Sequence, residues 1–244
     1  MLTDSSLIKL PKDRLIVALD VPTAKLARDL VNELKDSVGA FKIGLQLFTA
    51  AGPAFVKELA DSGSRVFLDL KFHDIPNTVA MACIEAARLG VWMMNVHAIG
   101  GSEMMTTAYR AVQETCLAEN IKMPKVIAVT VLTSSDESTL KETGIESTVD
   151  VQVTKLAQLA SNSGLDGVVA SPWEVEELRT SIERQDFTIV TPGIRSSSAT
   201  INDQRRVMSF AGALAAGADF MVVGRPITGA DDKVAAVENV IASI

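Results

Sequence analysis

In the stretch FLDLKFHDIPNT (67–78), Asp69, Lys71, His73 and Asp74 crowd the end of an apolar run that reads as a buried strand. With a side-chain period of two, Arg65, Phe67, Asp69 and Lys71 share one face of that strand, while Val66, Leu68 and Leu70 share the other. A lysine held between carboxylates stays protonated and cannot wander. That suits a general acid which must hand one proton to a developing carbanion. Lys42, near the end of the earlier run AFKIG (40–44), would extend the group to four alternating charges. The structural alternative is an ion-pair network that only caps the fold. Replacing such a network with apolar residues is often neutral or stabilising, so function is the better reason to keep it. His73 and, in NVHAIGG, His97 are read as structural.

A second group lies near the carboxyl terminus, in TPGIRSSSATINDQRR (191–206) and VVGRPI (222–227). Gly193 and Gly224 let the backbone approach a ligand closely, and Arg225 can grip a phosphate with two parallel hydrogen bonds. The polar segment 193–203 is long for a connection and its serines and threonine cannot build a core. It reads as a lid over a phosphate, against the alternative of a surface insertion.

These residues need a frame that brings them together. Eight β-rich runs alternate with longer amphipathic ones: 14–20, 40–44, 65–70, 91–97, 125–131, 166–170, 187–192 and 219–224. In TAKLARDLVNELKDSV (23–38), Leu26, Leu30, Val31 and Leu34 recur at helical spacing. Gly39, Gly63, Gly90, Gly164 and Gly217 stand where helices should end. Eight such units in 244 residues, with no Pro/Gly/Ser-rich linker, predict one domain over 1–244: an α/β fold of the single-domain (β/α)8 TIM-barrel class. Chemistry in that architecture belongs at the carboxyl ends of the strands. Asp20, Lys42, Asp69, Lys71, His97 and Thr133 fall at or near those ends, and the loops after strands seven and eight commonly bind phosphate.

Bulk properties narrow the partners. A net charge of −7 without a Lys/Arg block argues against nucleic acid, though a small anion needs only a few placed cations. No apolar stretch is long enough to span a membrane, and the amino terminus lacks the features of a secretory signal, so a cytoplasmic protein is expected. Cys83 and Cys116 lack metal-ligand spacing and read as small buried hydrophobes.

DLKFHDIPNT resembles the signature of the orotidine 5'-phosphate decarboxylase family, the last enzyme of UMP synthesis. LIVALDVP, FKIGLQLF, NVHAIGG, VTVLTS, TPGIR, DQRRV and GRPI follow in the order and spacing of its bacterial form, so the match spans the chain. The resemblance implies direct loss of carbon dioxide from C6 of orotidine 5'-monophosphate to give UMP, with no cofactor and no metal. It makes Lys71 the proton donor, flanked by Asp69 and by an Asp74 that comes from the other subunit of a homodimer. Lys42 completes the charge row and, with Asp20, reaches the ribose hydroxyls, as does Thr78 from the segment that crosses the interface. Thr133 lies near the pyrimidine. Arg195, Gly224 and Arg225 hold the phosphate, and Gln204 bridges phosphate and base from the lid. Ser196 departs from the proline that many members place after PGIR, which bears on lid stiffness. Two rivals use the same barrel: a magnesium-dependent sugar-phosphate decarboxylase, which shares Asp-x-Lys-x-x-Asp but lacks the Ile-Pro-Asn-Thr continuation, and a noncatalytic phosphate-binding protein.

Overall fold

The computed structural model describes residues 10–194 and 208–242. Its strands are β1 (Leu15–Ala18), β2 (Ala40–Gly44), β3 (Val66–Phe72), β4 (Met93–His97), β5 (Lys125–Val129), β6 (Gly167–Val169), β7 (Thr188–Thr191) and β8 (Phe220–Val223). All pairings are parallel and follow chain order, and β1 also pairs with β8, so the sheet closes into a barrel. Every strand expected from the sequence is present, several of them shortened at their ends.

The connections are helical: α1 (Ala24–Leu34), α2 (Leu45–Asp61), α3 (Pro76–Arg88), α4 (Gly101–Glu119), α5 (Glu137–Glu142), α6 (Val149–Asn162), α7 (Val175–Ser181) and α8 (Phe210–Ala215). After β8 the chain forms the single turn α9 (Arg225–Thr228) and then α10 (Lys233–Ile241). In α1 the Thr23 hydroxyl caps the first turn by accepting from the Leu26 N–H. Its buried stripe is Ala27, Leu30, Val31 and Leu34. Leu26, expected on that stripe, is exposed instead, because positions 27, 30, 31 and 34 centre the contact one residue further on. Burying each leucine or valine of the stripe contributes about 1.5–3 kcal/mol over leaving it in water.

The two faces of each strand enter different cores. Ile16, Ala18, Ala40, Phe67, Met93, Ile127, Val190, Phe220 and Val222 fill the barrel interior. Their neighbours Val17, Phe41, Ile43, Val66, Leu68, Met94, Val168, Ile189 and Met221 pack outward against the helices. Trp92 meets Phe220 edge-on at 5.0 Å between centroids, and the Arg65 guanidinium lies 5.3 Å from the Trp92 ring. These groups plug the amino-terminal end of the barrel and leave the carboxyl-terminal end for polar residues.

Four of the five expected helix-ending glycines, Gly63, Gly90, Gly164 and Gly217, have positive φ and let the chain turn back towards the sheet. Gly39 does not. A Cβ there would collide with the Asp13 backbone, so that glycine serves close approach between two chain segments. Cys83 in α3 and Cys116 in α4 are buried free thiols, and burial pushes the Cys83 thiol up to about 12.

Candidate active site

Four charged residues from three adjacent strands meet at the carboxyl-terminal mouth. Asp20 follows β1, Lys42 lies within β2, and Asp69 and Lys71 lie on the inward face of β3 above Phe67. The Lys42 ammonium stands 3.2 Å from Asp20 Oδ1 and 3.3 Å from Asp69 Oδ2, and the Lys71 ammonium stands 2.7 Å from Asp69 Oδ1. The result is an unbroken row, Asp20–Lys42–Asp69–Lys71, of alternating sign. Its centre is withdrawn from water: the Lys42 and Asp69 side chains are 12% and 13% exposed, against 31% for Lys71. Charges in that setting interact more strongly than on an open surface. Gly44 makes room for the row, since a Cβ there would lie 3.1 Å from Lys42 Nζ.

Local backbone geometry aims Lys71. Between paired points β3 advances from Leu68 to Phe72 while β4 advances only from Met94 to Val96, so β3 bulges. Within the bulge Lys71 has φ +54°, a left-handed conformation uncommon outside glycine and asparagine. The wholly buried Asn95 of β4 accepts the Lys71 N–H at 2.8 Å and donates from Nδ2 to Asp69 Oδ1 at 2.7 Å. Reasoning from the sequence passed over Asn95. A lone amide in the apolar run VWMMNVH, with the inward parity of Met93 and His97, was the available signal.

Other expected residues stand further out. Asp74 and Thr78 are exposed at the start of α3. The Asp74 carboxylate accepts from the Ile75 N–H at 2.7 Å and makes no ion pair with Lys71 within this chain. Thr133, expected to close the fifth strand, lies beyond β5 on the following loop, where it lines an open cleft with Ser135, Asp136, Glu137, Ser138, Val149 and Asp150. Gly224 caps α9, and a Cβ on it would lie 3.7 Å from Asp20 Oδ2, so the end of β8 abuts the charge row. Arg225 follows as an exposed side chain at the first position of α9. Gly193 is buried with φ +81° after β7. Arg195, Ser196 and Gln204 lie outside the described residues, as does all of the 193–203 segment beyond Ile194.

The two histidines pack together beside the row, with centroids 5.6 Å apart. Burial, then the charges of His73 and Lys71, hold His97 below the ordinary histidine value, and its buried Nδ1 has no hydrogen-bond partner among the described residues. Among the described residues, no three His, Cys, Asp or Glu side chains converge in a way that could hold a metal ion. No helix among them is long and apolar enough to cross a membrane.

Comparison with known proteins agrees with the barrel fold. The family model described as orotidine 5'-phosphate decarboxylase / HUMPS family matches residues 13–240. The orotidine 5'-phosphate decarboxylase of Syntrophotalea carbinolica is 53% identical over 230 residues, 94% of each chain. That of Moorella thermoacetica is 53% identical over 234 residues, covering 96% of this chain and 92% of its own. The crystal structure of the enzyme from Lactobacillus acidophilus superposes with a TM-score of 0.81 at 39% identity, over 93% of this chain and 96% of that one. With its barrel closed, its charge row intact and its relatives matched almost end to end, this chain belongs to the orotidine 5'-phosphate decarboxylase / HUMPS family.

Proposed function

We propose that this protein removes carbon dioxide from C6 of orotidine 5'-monophosphate to give UMP, the last step of pyrimidine nucleotide synthesis, without metal or cofactor. The observation that carries the reading is the Asp20–Lys42–Asp69–Lys71 row at the barrel mouth. Loss of carbon dioxide here leaves an sp² carbanion with little delocalisation. The barrier reduction required is therefore near the top of the usual range, on the order of 20 kcal/mol. Repulsion between Asp69 and the substrate carboxylate cannot supply it, since two unit charges at about 4 Å are worth only about 4 kcal/mol at an effective dielectric of 20. The larger share falls to the Lys71 ammonium, held in place before the reaction starts, which stabilises negative charge as it develops at C6 and then gives C6 a proton.

Asp20 and Lys42 bind the ribose hydroxyls in this reading, and Thr133 borders the pyrimidine. Gly224 and Arg225, with Arg195, take the phosphate, and Gln204 reaches phosphate and base from the lid. Phosphate binding remote from C6 is then spent on closing the site and tightening the geometry around Lys71. The protein acts as a cytoplasmic homodimer in which Asp74 and Thr78 of each subunit complete the neighbour's site. The exposure of both side chains, with the exposed Ile75 between them, supports that arrangement.

The test is the fall in orotidine 5'-monophosphate absorbance with purified protein and EDTA, beside a Lys71→Ala control. Rapid formation of UMP by the wild type alone is expected. A folded wild type that leaves the substrate untouched overturns the reading, and activity restored only on adding magnesium with a sugar phosphate assigns the chain to the sugar-phosphate branch.

A further inference from the structure

Asn95 touches both members of the Asp69–Lys71 pair from the adjacent strand. Its amide can point only one way, because Oδ1 must face a backbone donor, the Lys71 N–H, and Nδ2 must face an acceptor, Asp69 Oδ1. Each bond answers a separate problem. The bulge takes the Lys71 N–H off the regular ladder between β3 and β4, and the Asn95 carbonyl satisfies that donor where the left-handed turn has placed it. Asp69 Oδ1 must meet the Lys71 ammonium while Oδ2 meets Lys42, and the Asn95 donor fixes the rotation of the carboxylate that allows both. Wholly buried, the amide has no water to exchange for these partners, so the geometry is stiff.

We infer that Asn95 is a positioning residue for the decarboxylation: through one side chain it holds the left-handed Lys71 backbone and the Asp69 carboxylate, and so directs the Lys71 ammonium at the reacting carbon. The inference rests on the proposed function, and it adds a residue that acts through Lys71 and Asp69 without meeting the substrate. Because Asn95 does not serve the ribose or phosphate, its loss should fall on kcat and spare the binding of UMP.

The experiment compares wild type, Asn95→Ala, Asn95→Leu and Asn95→Asp for kcat and KM with orotidine 5'-monophosphate, UMP affinity by calorimetry, and thermal midpoint. The Ala and Leu variants are expected to lose about 100-fold or more in kcat, with UMP affinity within about threefold of wild type. The near-isosteric Leu change keeps the site filled if the Ala variant does not fold. Asn95→Asp keeps an acceptor for the Lys71 N–H but sets a carboxylate against Asp69, so a kcat loss confined to the Ala and Leu variants would place the effect in the backbone half of the clamp. A folded Ala or Leu variant with kcat within threefold of wild type overturns the inference. So does a parallel fall in kcat, UMP affinity and thermal midpoint, which marks a merely structural role. Wild type is assayed alongside: an inactive wild type refutes the functional reading itself, whereas an active wild type with unaffected variants refutes only the role of Asn95.

Discussion

Lys71 and Asp69 stand two residues apart on one strand, and their side chains meet at 2.7 Å on its inward face. The contact survives the left-handed backbone of Lys71 because the bulge turns the chain without turning that side chain out of the barrel mouth. Removing the charge of Asp69 leaves the geometry of Lys71 without its anchor. Asp69→Asn is therefore expected to lower kcat by on the order of 100-fold or more, measured in the absorbance assay against wild type at equal folded concentration.

Arg225 is far from the reacting carbon in the proposed complex, yet phosphate binding is meant to drive closure. An Arg225→Ala enzyme should lose kcat/KM by on the order of 1000-fold, with part of the loss recovered by added guanidinium. Weakened substrate affinity with an unchanged kcat would make the phosphate a mere anchor.

Mixing tests the shared site. Lys71→Ala and Asp74→Ala proteins, each inactive alone, should regain activity when their subunits exchange, because a hybrid dimer rebuilds one complete site. Exchange proven by mass spectrometry with no regain of turnover would remove Asp74 from the neighbour's site.

The pH dependence of stability should carry the mark of His97. Burial, followed by the charges of His73 and Lys71, depresses its pKa in the folded protein, so the unfolded chain takes up the proton first as pH falls. Between the depressed value and about 6.5 the unfolded state therefore binds more protons, and stability rises with pH through that window and is lost on acidification. Urea denaturation at several pH values should show this slope in wild type and a flatter one in His97→Gln.

Gly167 opens β6 directly against β7, where a Cβ would overlap the Thr188 carbonyl oxygen. Backbone cannot yield there as a flexible side chain would. Gly167→Ala is expected to destabilise the barrel by about 3 kcal/mol or more, read as a lowered denaturation midpoint with an unchanged slope.

Much of the frame could be read locally. Alternation at 65–71 separated the inward Phe67, Asp69 and Lys71 from the outward Val66, Leu68 and Leu70, and the cores divide Phe67 from Val66 and Leu68 in that way. The positions of Asp20 and Lys42 at strand ends likewise followed from counting eight β-rich runs. Where the signal depended on a helix's exact rotation, as with Leu26, it missed by one residue.

From its sequence alone this protein already had a closed eight-stranded architecture, a polar mouth and the identities of the charged residues there, because strand period, helix spacing and turn glycines are short-range properties. Only the tertiary structure decided that Lys71 adopts a left-handed backbone, that Asn95 holds it together with Asp69, and that Gly39 exists to let Asp13 approach. Each of these depends on register between segments distant in the chain. Register is set by how whole faces pack, which no local run of residues encodes.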